Sequence, residues 1–298
     1  MNQKVLFFLA VFIFTSAIGL YVGWSMIPEV GDISPVTGRA VDDPYNALVF
    51  LVWILVSTAI LLLVLKYYKG LMLFRALELF MVFIGSEVVY SIILYDLIVS
   101  FSLPVGDLVY TTSVLLLAAL TAVVRLWMRR RLLLNVTLAI TVGGVAGLLG
   151  STLDFLPAFL LVVGLSVYDA VAVFGTKHMV KLADQSRLRR LPVMFETSSK
   201  GIKTGPRKSS ADGGEKPKKS AAADVLALGT GDIVIPVIFF VAILRNFDML
   251  NLLGAYIGAM AGLAATIYYV TNIKRLALPA LPPIMGASLI GFGISLLL

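Results

Sequence analysis

This chain encodes an all-α, polytopic membrane protein with about nine transmembrane helices, and three observations predict it. Hydrophobic residues make up 59% of its 298 positions and charged residues only 14%, where soluble domains carry roughly 45–50% and about 25%. The apolar residues fall in runs of about 20, the length that crosses a hydrocarbon core. The charges collect at the ends of those runs and in one loop. A net charge of +7 distributed this way marks span ends rather than a nucleic-acid footprint. The lipid bilayer is therefore the expected partner, and nucleic acid is not.

The spans run over 5–25, 47–65, 76–98, 107–124, 132–150, 156–176, 226–244, 250–270 and 276–298. Lys4 precedes the first run, as in a signal peptide. That run exceeds the roughly 7–15-residue signal core and shows no clear small-residue cleavage site, so an uncleaved first span is expected. Gly143 and Gly147 on the fifth span, and Gly254, Gly258 and Gly262 on the eighth, recur every fourth residue. That spacing predicts close helix packing. Three regions follow: residues 1–176 with spans one to six, a cytoplasmic basic mobile loop over 177–225, and 226–298 with spans seven to nine.

Charge sets the orientation. Lys4, Lys66, Lys69, Arg75, Arg125, Arg129, Arg130, Arg131, Lys274 and Arg275 fall on one side of a nine-span arrangement, and so does the 177–225 loop with half of all Lys and Arg. The other side holds Glu29, Asp32, Asp42, Asp43, Asp107 and Asp154, with only Arg39 and Arg245 as cations. The positive-inside rule puts the N-terminus in the cytoplasm and the C-terminus outside a cell membrane. Within the loop, Ser198 to Ser220 is rich in Lys, Ser, Gly and Pro and reads as a mobile linker. Its cations, with Arg187, Arg189 and Arg190, also suit contact with anionic lipid.

Two carboxylates lie where a membrane helix should carry none: Asp169 in the sixth span and Asp232 in the seventh. An acid at such depth costs about 2.5–3.5 kcal/mol on the insertion scale, so each is a functional candidate. Asp169 precedes Lys177 by eight residues and Asp232 follows Asp224 by eight, about 12 Å along a helix in each case. Spans six and seven are antiparallel and joined at the cytoplasmic side, so the two acids reach one level. Gly229 and Gly231 remove bulk beside Asp232 and favour close approach of the two helices.

Two neighbouring carboxyls cannot both ionise cheaply; one holds a proton while the other acts as a base. The base can activate a water while the acid polarises a carbonyl and then protonates the leaving amine. Such aspartyl hydrolysis of a peptide bond needs no metal and no cofactor, and the chain has no cysteine and one histidine. His-Glu-x-x-His, Gly-x-Ser-x-Gly and phosphate-loop patterns are absent from the sequence. His178, at a span end, reads as interfacial. The alternative is a cation or proton channel or transporter using the same two acids as relays; the sequence shows no internal repeat of the kind carriers are built from.

Tyr168-Asp169, Gly229-Thr230-Gly231-Asp232 and Pro279-Ala280-Leu281 occur in this order on spans six, seven and nine. They resemble the Tyr-Asp, Gly-x-Gly-Asp and Pro-Ala-Leu motifs of the presenilin and signal peptide peptidase family of intramembrane aspartyl proteases. Phe174-Gly175-Thr176 and Gly231 to Pro236 resemble the signal peptide peptidases. Pro279 to Pro282, Ala170 to Val173 and the orientation resemble the presenilins, so the chain looks like a compact prokaryotic presenilin-like homologue. The resemblance implies catalysis by Asp169 and Asp232, with transmembrane helical peptides or signal peptides as substrates. It also implies substrate binding near Tyr168, Gly229, Gly231, Pro279, Ala280 and Leu281. Pro279, Pro282 and Pro283 interrupt helical bonding and free nearby backbone groups, to which an unwound substrate strand could pair; the plainer reading is a kink at the start of span nine. Tyr168 either hydrogen-bonds near the acids or simply packs. Glu87, in mid-span three, either pairs with a polar side chain or lines a water path. A homo-oligomer is compatible with the sequence, which is silent on that point.

Overall fold

In the computed structural model, the residues described are 3–68, 72–127, 131–173, 194–196, 227–272 and 279–298. Among them are nine helices: α1 (Gln3–Val30), α2 (Tyr45–Tyr67), α3 (Met72–Ser100), α4 (Asp107–Trp127), α5 (Arg131–Ser151), α6 (Phe155–Val171), α7 (Gly231–Asn246), α8 (Met249–Asn272) and α9 (Leu281–Ser295). Two short strands accompany them, β1 (Met194–Glu196) and β2 (Ala227–Gly229). Phe174-Gly175-Thr176, His178 and the basic stretches of the long loop lie outside the described residues.

Every expected span contains a helix, but the lengths divide them. Six, α1 to α5 and α8, are long and apolar enough to cross a membrane, which makes this a multi-pass membrane protein. α6, α7 and α9 have only 17, 16 and 15 residues. At about 1.5 Å per residue they reach roughly 23–26 Å, short of a hydrocarbon core of about 30 Å. The expected spans 226–244 and 276–298 begin too early: the helices start at Gly231 and Leu281. Residues 227–229 are extended instead and pair antiparallel with β1, in the register Met194↔Gly229, Phe195↔Leu228 and Glu196↔Ala227. A strand therefore stands inside the segment expected as a mobile loop, because Phe195 and Leu228 are buried in the main apolar core. Pairing across the long loop satisfies backbone groups that an unpaired extended segment would leave open.

α7 is the axis of the core. Ile233 and every residue from Pro236 to Ile243 are buried, with α1, α5, α6 and α8 packed around them. Small residues allow that approach. A Cβ on Gly19 would fall 2.5 Å from Val237, and one on Gly150 would fall 2.8 Å from Val241. The glycine series packs as expected: Gly143 lies on the Thr15 carbonyl of α1, and Gly254, Gly258 and Gly262 lie on Gly291, Ala287 and Pro283 of α9. α2 rests chiefly on α6, and α4 on α3.

Polar clamps fix the two ends. Arg245, at the end of α7, donates to the carbonyls of Gly31 (2.9 Å) and Ser151 (2.7 Å). Asp154 caps α6 through the Phe155 amide and accepts from Asn246. At the opposite end Arg125 pairs with Glu78 at 2.8 Å and donates to Leu134 and Thr137, so Glu78 is a paired acid rather than a solvated one.

Candidate active site

Asp169 lies in the last turn of α6, and Asp232 is the second residue of α7. Leu281, in the Pro-Ala-Leu segment, is the first residue of α9. All three motifs therefore stand at helix ends, and the ends converge. The Leu281 amide donates to Asp169 Oδ2 at 3.3 Å. The Asp232 carboxylate lies against the Gly229 backbone, where a Cβ would stand 3.0 Å from its Oδ2, and Asp169 lies within electrostatic reach of Asp232. Asp232 comes within that reach from a helix start rather than from the mid-helix position the sequence suggested.

Proline explains why the Leu281 amide is free. The first-turn amides of a helix have no intrahelical partner. Pro282 and Pro283 fill the next two positions of α9 and have no N–H to offer. Ile284 bonds back to Ala280, so Leu281 is the donor left at that helix start. The positive end of the α9 dipole favours an anion there. These prolines start α9 rather than kink it, and the amide they leave over is taken by Asp169.

The glycines act differently from the expectation that they let two helices close together. A Cβ on Gly229 would stand 3.0 Å from Asp232 Oδ2, so this glycine makes room for the carboxylate of its own segment. Nothing lies within 4 Å of a Cβ on Gly231, which faces open space beside Asp232. Pro279 and Leu281 are buried and Ala280 is half-buried. Tyr168 is half-buried, and its hydroxyl has no hydrogen-bond partner among the described residues. Ser166, one turn before Asp169, has a buried hydroxyl without a partner.

Sequence reasoning did not find the β1–β2 pair. Its signal was faint: Val193, Met194 and Phe195 make a short apolar run in a largely polar, basic loop. Among the described residues no group of three or more His, Cys, Asp or Glu could hold a metal ion.

Residues 9–298 match the family described as signal-peptide peptidase, presenilin aspartyl protease. Two solved structures share the fold, both of a presenilin family intramembrane aspartate protease. One, in a C222 crystal form, aligns with a TM-score of 0.68 at 22% identity over 98% of each chain. The other, in a P2 form, aligns at 0.66 and 22% identity over 97% of this chain and 96% of that one. A comparison with curated proteins gave no significant match. The chain belongs to the signal-peptide peptidase and presenilin aspartyl protease family, and is an intramembrane aspartic endopeptidase.

Proposed function

We propose that this protease hydrolyses peptide bonds within transmembrane segments or signal peptides, with Asp169 and Asp232 as its catalytic pair and water as nucleophile. The observation that carries the reading is the approach of two carboxylates from different helices, with the Leu281 amide on Asp169 and the Gly229 backbone against Asp232. The Leu281 amide orients Asp169 and leaves both carboxylates acceptor positions for a water and for the shared proton. The ionised member draws a proton from the water. The protonated member polarises the scissile carbonyl and later protonates the amine that leaves.

A substrate helix has no free backbone at the bond to be cut, so it must unwind first. β2 ends two residues before the helix that carries Asp232. Its extended backbone offers the simplest template on which an unwound segment could lie as a strand. Gly231 leaves open space at that point. The short α6, α7 and α9 support the same reading, since irregular backbone inside a bilayer is tolerated where it lines a water-filled cavity. Tyr168, Pro279 and Ala280 then border the substrate path. The charge asymmetry supports a cytoplasmic N-terminus and long loop with an extracytoplasmic C-terminus.

The test is cleavage of a single-span peptide by purified protein in detergent, and ion flux through liposomes, across pH. A bell-shaped cleavage profile is expected for the wild type, with none at any pH for Asp169→Asn or Asp232→Asn, because an amide neither takes nor supplies the proton. Asp-dependent ion flux without cleavage would make the pair a channel relay instead.

A further inference from the structure

At the end of the bundle away from Asp232, α1, α3 and α4 line an open cleft of about 670 Å³. That lies within the usual range of small-ligand sites, about 300–1,000 Å³. Its walls combine aromatic faces with acids: Tyr21, Trp24, Tyr95 and Tyr110, with Glu29 and Asp96. Asp96 accepts a hydrogen bond from the Tyr21 hydroxyl, and Tyr110 donates to the Ser91 carbonyl at 2.9 Å. Two of the aromatic rings are thus fixed, one of them against an acid. Trp24 and Tyr95 are 60% and 57% exposed, which opens the cavity sideways at the depth where aromatic belts meet lipid headgroups.

The charge in and around it has one sign. Neither Glu29 nor Asp96 has an ion-pair partner among the described residues. Glu87 stands deeper on the helix of Asp96, α3. The cations nearest in sequence to these helix ends are engaged elsewhere: Arg39 on Asp43, and Arg245 on the Gly31 and Ser151 carbonyls. Aromatic faces with unpaired carboxylates recognise an ammonium group by cation–π attraction and charge-assisted hydrogen bonds. The same acids repel a headgroup that is only anionic.

The geometry points to a binding site for the ammonium headgroup of a membrane lipid, seated between α1, α3 and α4 with its acyl chains outside. The amine lies against Asp96, Glu29 and the ring faces. Trp24 and Tyr95 keep an indole N–H and a hydroxyl for the lipid phosphate.

Trp24 can report on occupancy. Trp53 and Trp127 lie exposed on α2 and α4, and replacing both with Phe leaves Trp24 as the sole tryptophan of the full chain. Dihexanoyl phosphatidylethanolamine titrated into this protein in detergent should shift Trp24 emission saturably. Dihexanoyl phosphatidylglycerol should act at concentrations at least about tenfold higher, because it lacks the cation. Asp96→Asn keeps an acceptor for Tyr21, so the fold survives. Combined with Glu29→Gln it should weaken the ethanolamine lipid by about tenfold or more with an unchanged melting temperature. If that double variant loses stability, Tyr95→Leu, which leaves both acids in place, should still weaken the ethanolamine lipid by a few fold. Equal response to the two lipids, an undiminished preference in the variants, or free ethanolamine binding as tightly as the lipid would each overturn the site.

Discussion

α4 and α7 are both apolar helices, and their situations are opposite. α4 turns Leu108, Leu116 and Leu120 outward, and only 17% of its apolar window is buried. α7 is five residues shorter (21 against 16) and buries every residue from Pro236 to Ile243. Lipid tails accommodate a leucine as well as another helix does, so apolarity alone does not decide which helix goes inside. Glycine and polar groups do. α7 is approached by Gly19, Gly23 and Gly150, and its first turn carries an acid. A helix that needs only lipid around it is free to span the bilayer. The helix that carries Asp232 is shorter and begins only after the β2 strand ends.

The sharpest break of this contrast is removal of the acids. Asp169→Ala and Asp232→Ala should each abolish cleavage of a single-span substrate. Both should leave gel-filtration behaviour and melting temperature at or above the wild type, because a desolvated carboxyl is lost. Normal cleavage by either folded variant would remove the pair from the mechanism.

Next in size is packing inside the bundle. Gly258→Leu drives a side chain into the Ala287 carbonyl and should cost about 1–3 kcal/mol or more, seen as a lower thermal midpoint. Leu116→Ala on the outer face of α4, where the side chain is 65% exposed, should stay within about 0.5 kcal/mol. Equal losses would mean that the inner and outer helices are not distinguished by packing.

The amide on Asp169 is a smaller and more specific test. Replacing the Leu281 amide by an ester, with leucic acid incorporated at that position, deletes one N–H and keeps the side chain. A hydrogen bond of 3.3 Å to a carboxylate is worth about 1–2 kcal/mol. The expected loss of kcat is about five- to thirtyfold, with a fall in stability of no more than about 1–2 kcal/mol. An unaltered kcat would leave Leu281 as a packing residue only.

The smallest effect lies outside the bundle. The Tyr45 amide, and then Arg39, hold the Asp43 carboxyl below its usual value of 3.8. A depressed carboxyl adds stability above its unfolded pKa and loses it as pH falls through the folded one. The wild type and Asp43→Asn should therefore melt alike in strong acid and separate slightly once the pH rises above 4. A difference that grew toward acid would reverse the assignment.

Much of this was legible in the residues. Apolar runs located each helix to within a few positions, except where a motif stood. The fourth-residue glycines on α5 and α8 predicted the packing found, whereas the helical offset drawn for Asp232 does not exist, because α7 begins only at Gly231. Gly229 and Gly231 misled, because local sequence cannot tell a glycine that admits a helix from one that admits the neighbouring carboxylate. Phe195 was missed because its partner, Leu228, lies far along the chain.

The sequence by itself determined that the chain folds in a bilayer, how many apolar segments it brings, and that Asp169, Asp232 and Glu87 fall within them. Those properties are sums over neighbouring residues, and hydropathy and charge report them directly. Tertiary structure decided where α7 and α9 begin, which amide meets Asp169, and which apolar faces turn to lipid. Each of those depends on a partner from another segment: β1 for β2, Asp169 for the Leu281 amide, Gly19 for Val237. Backbone hydrogen bonds and close packing are satisfied in space, so a helix end is fixed by what it meets there as much as by the residues that form it.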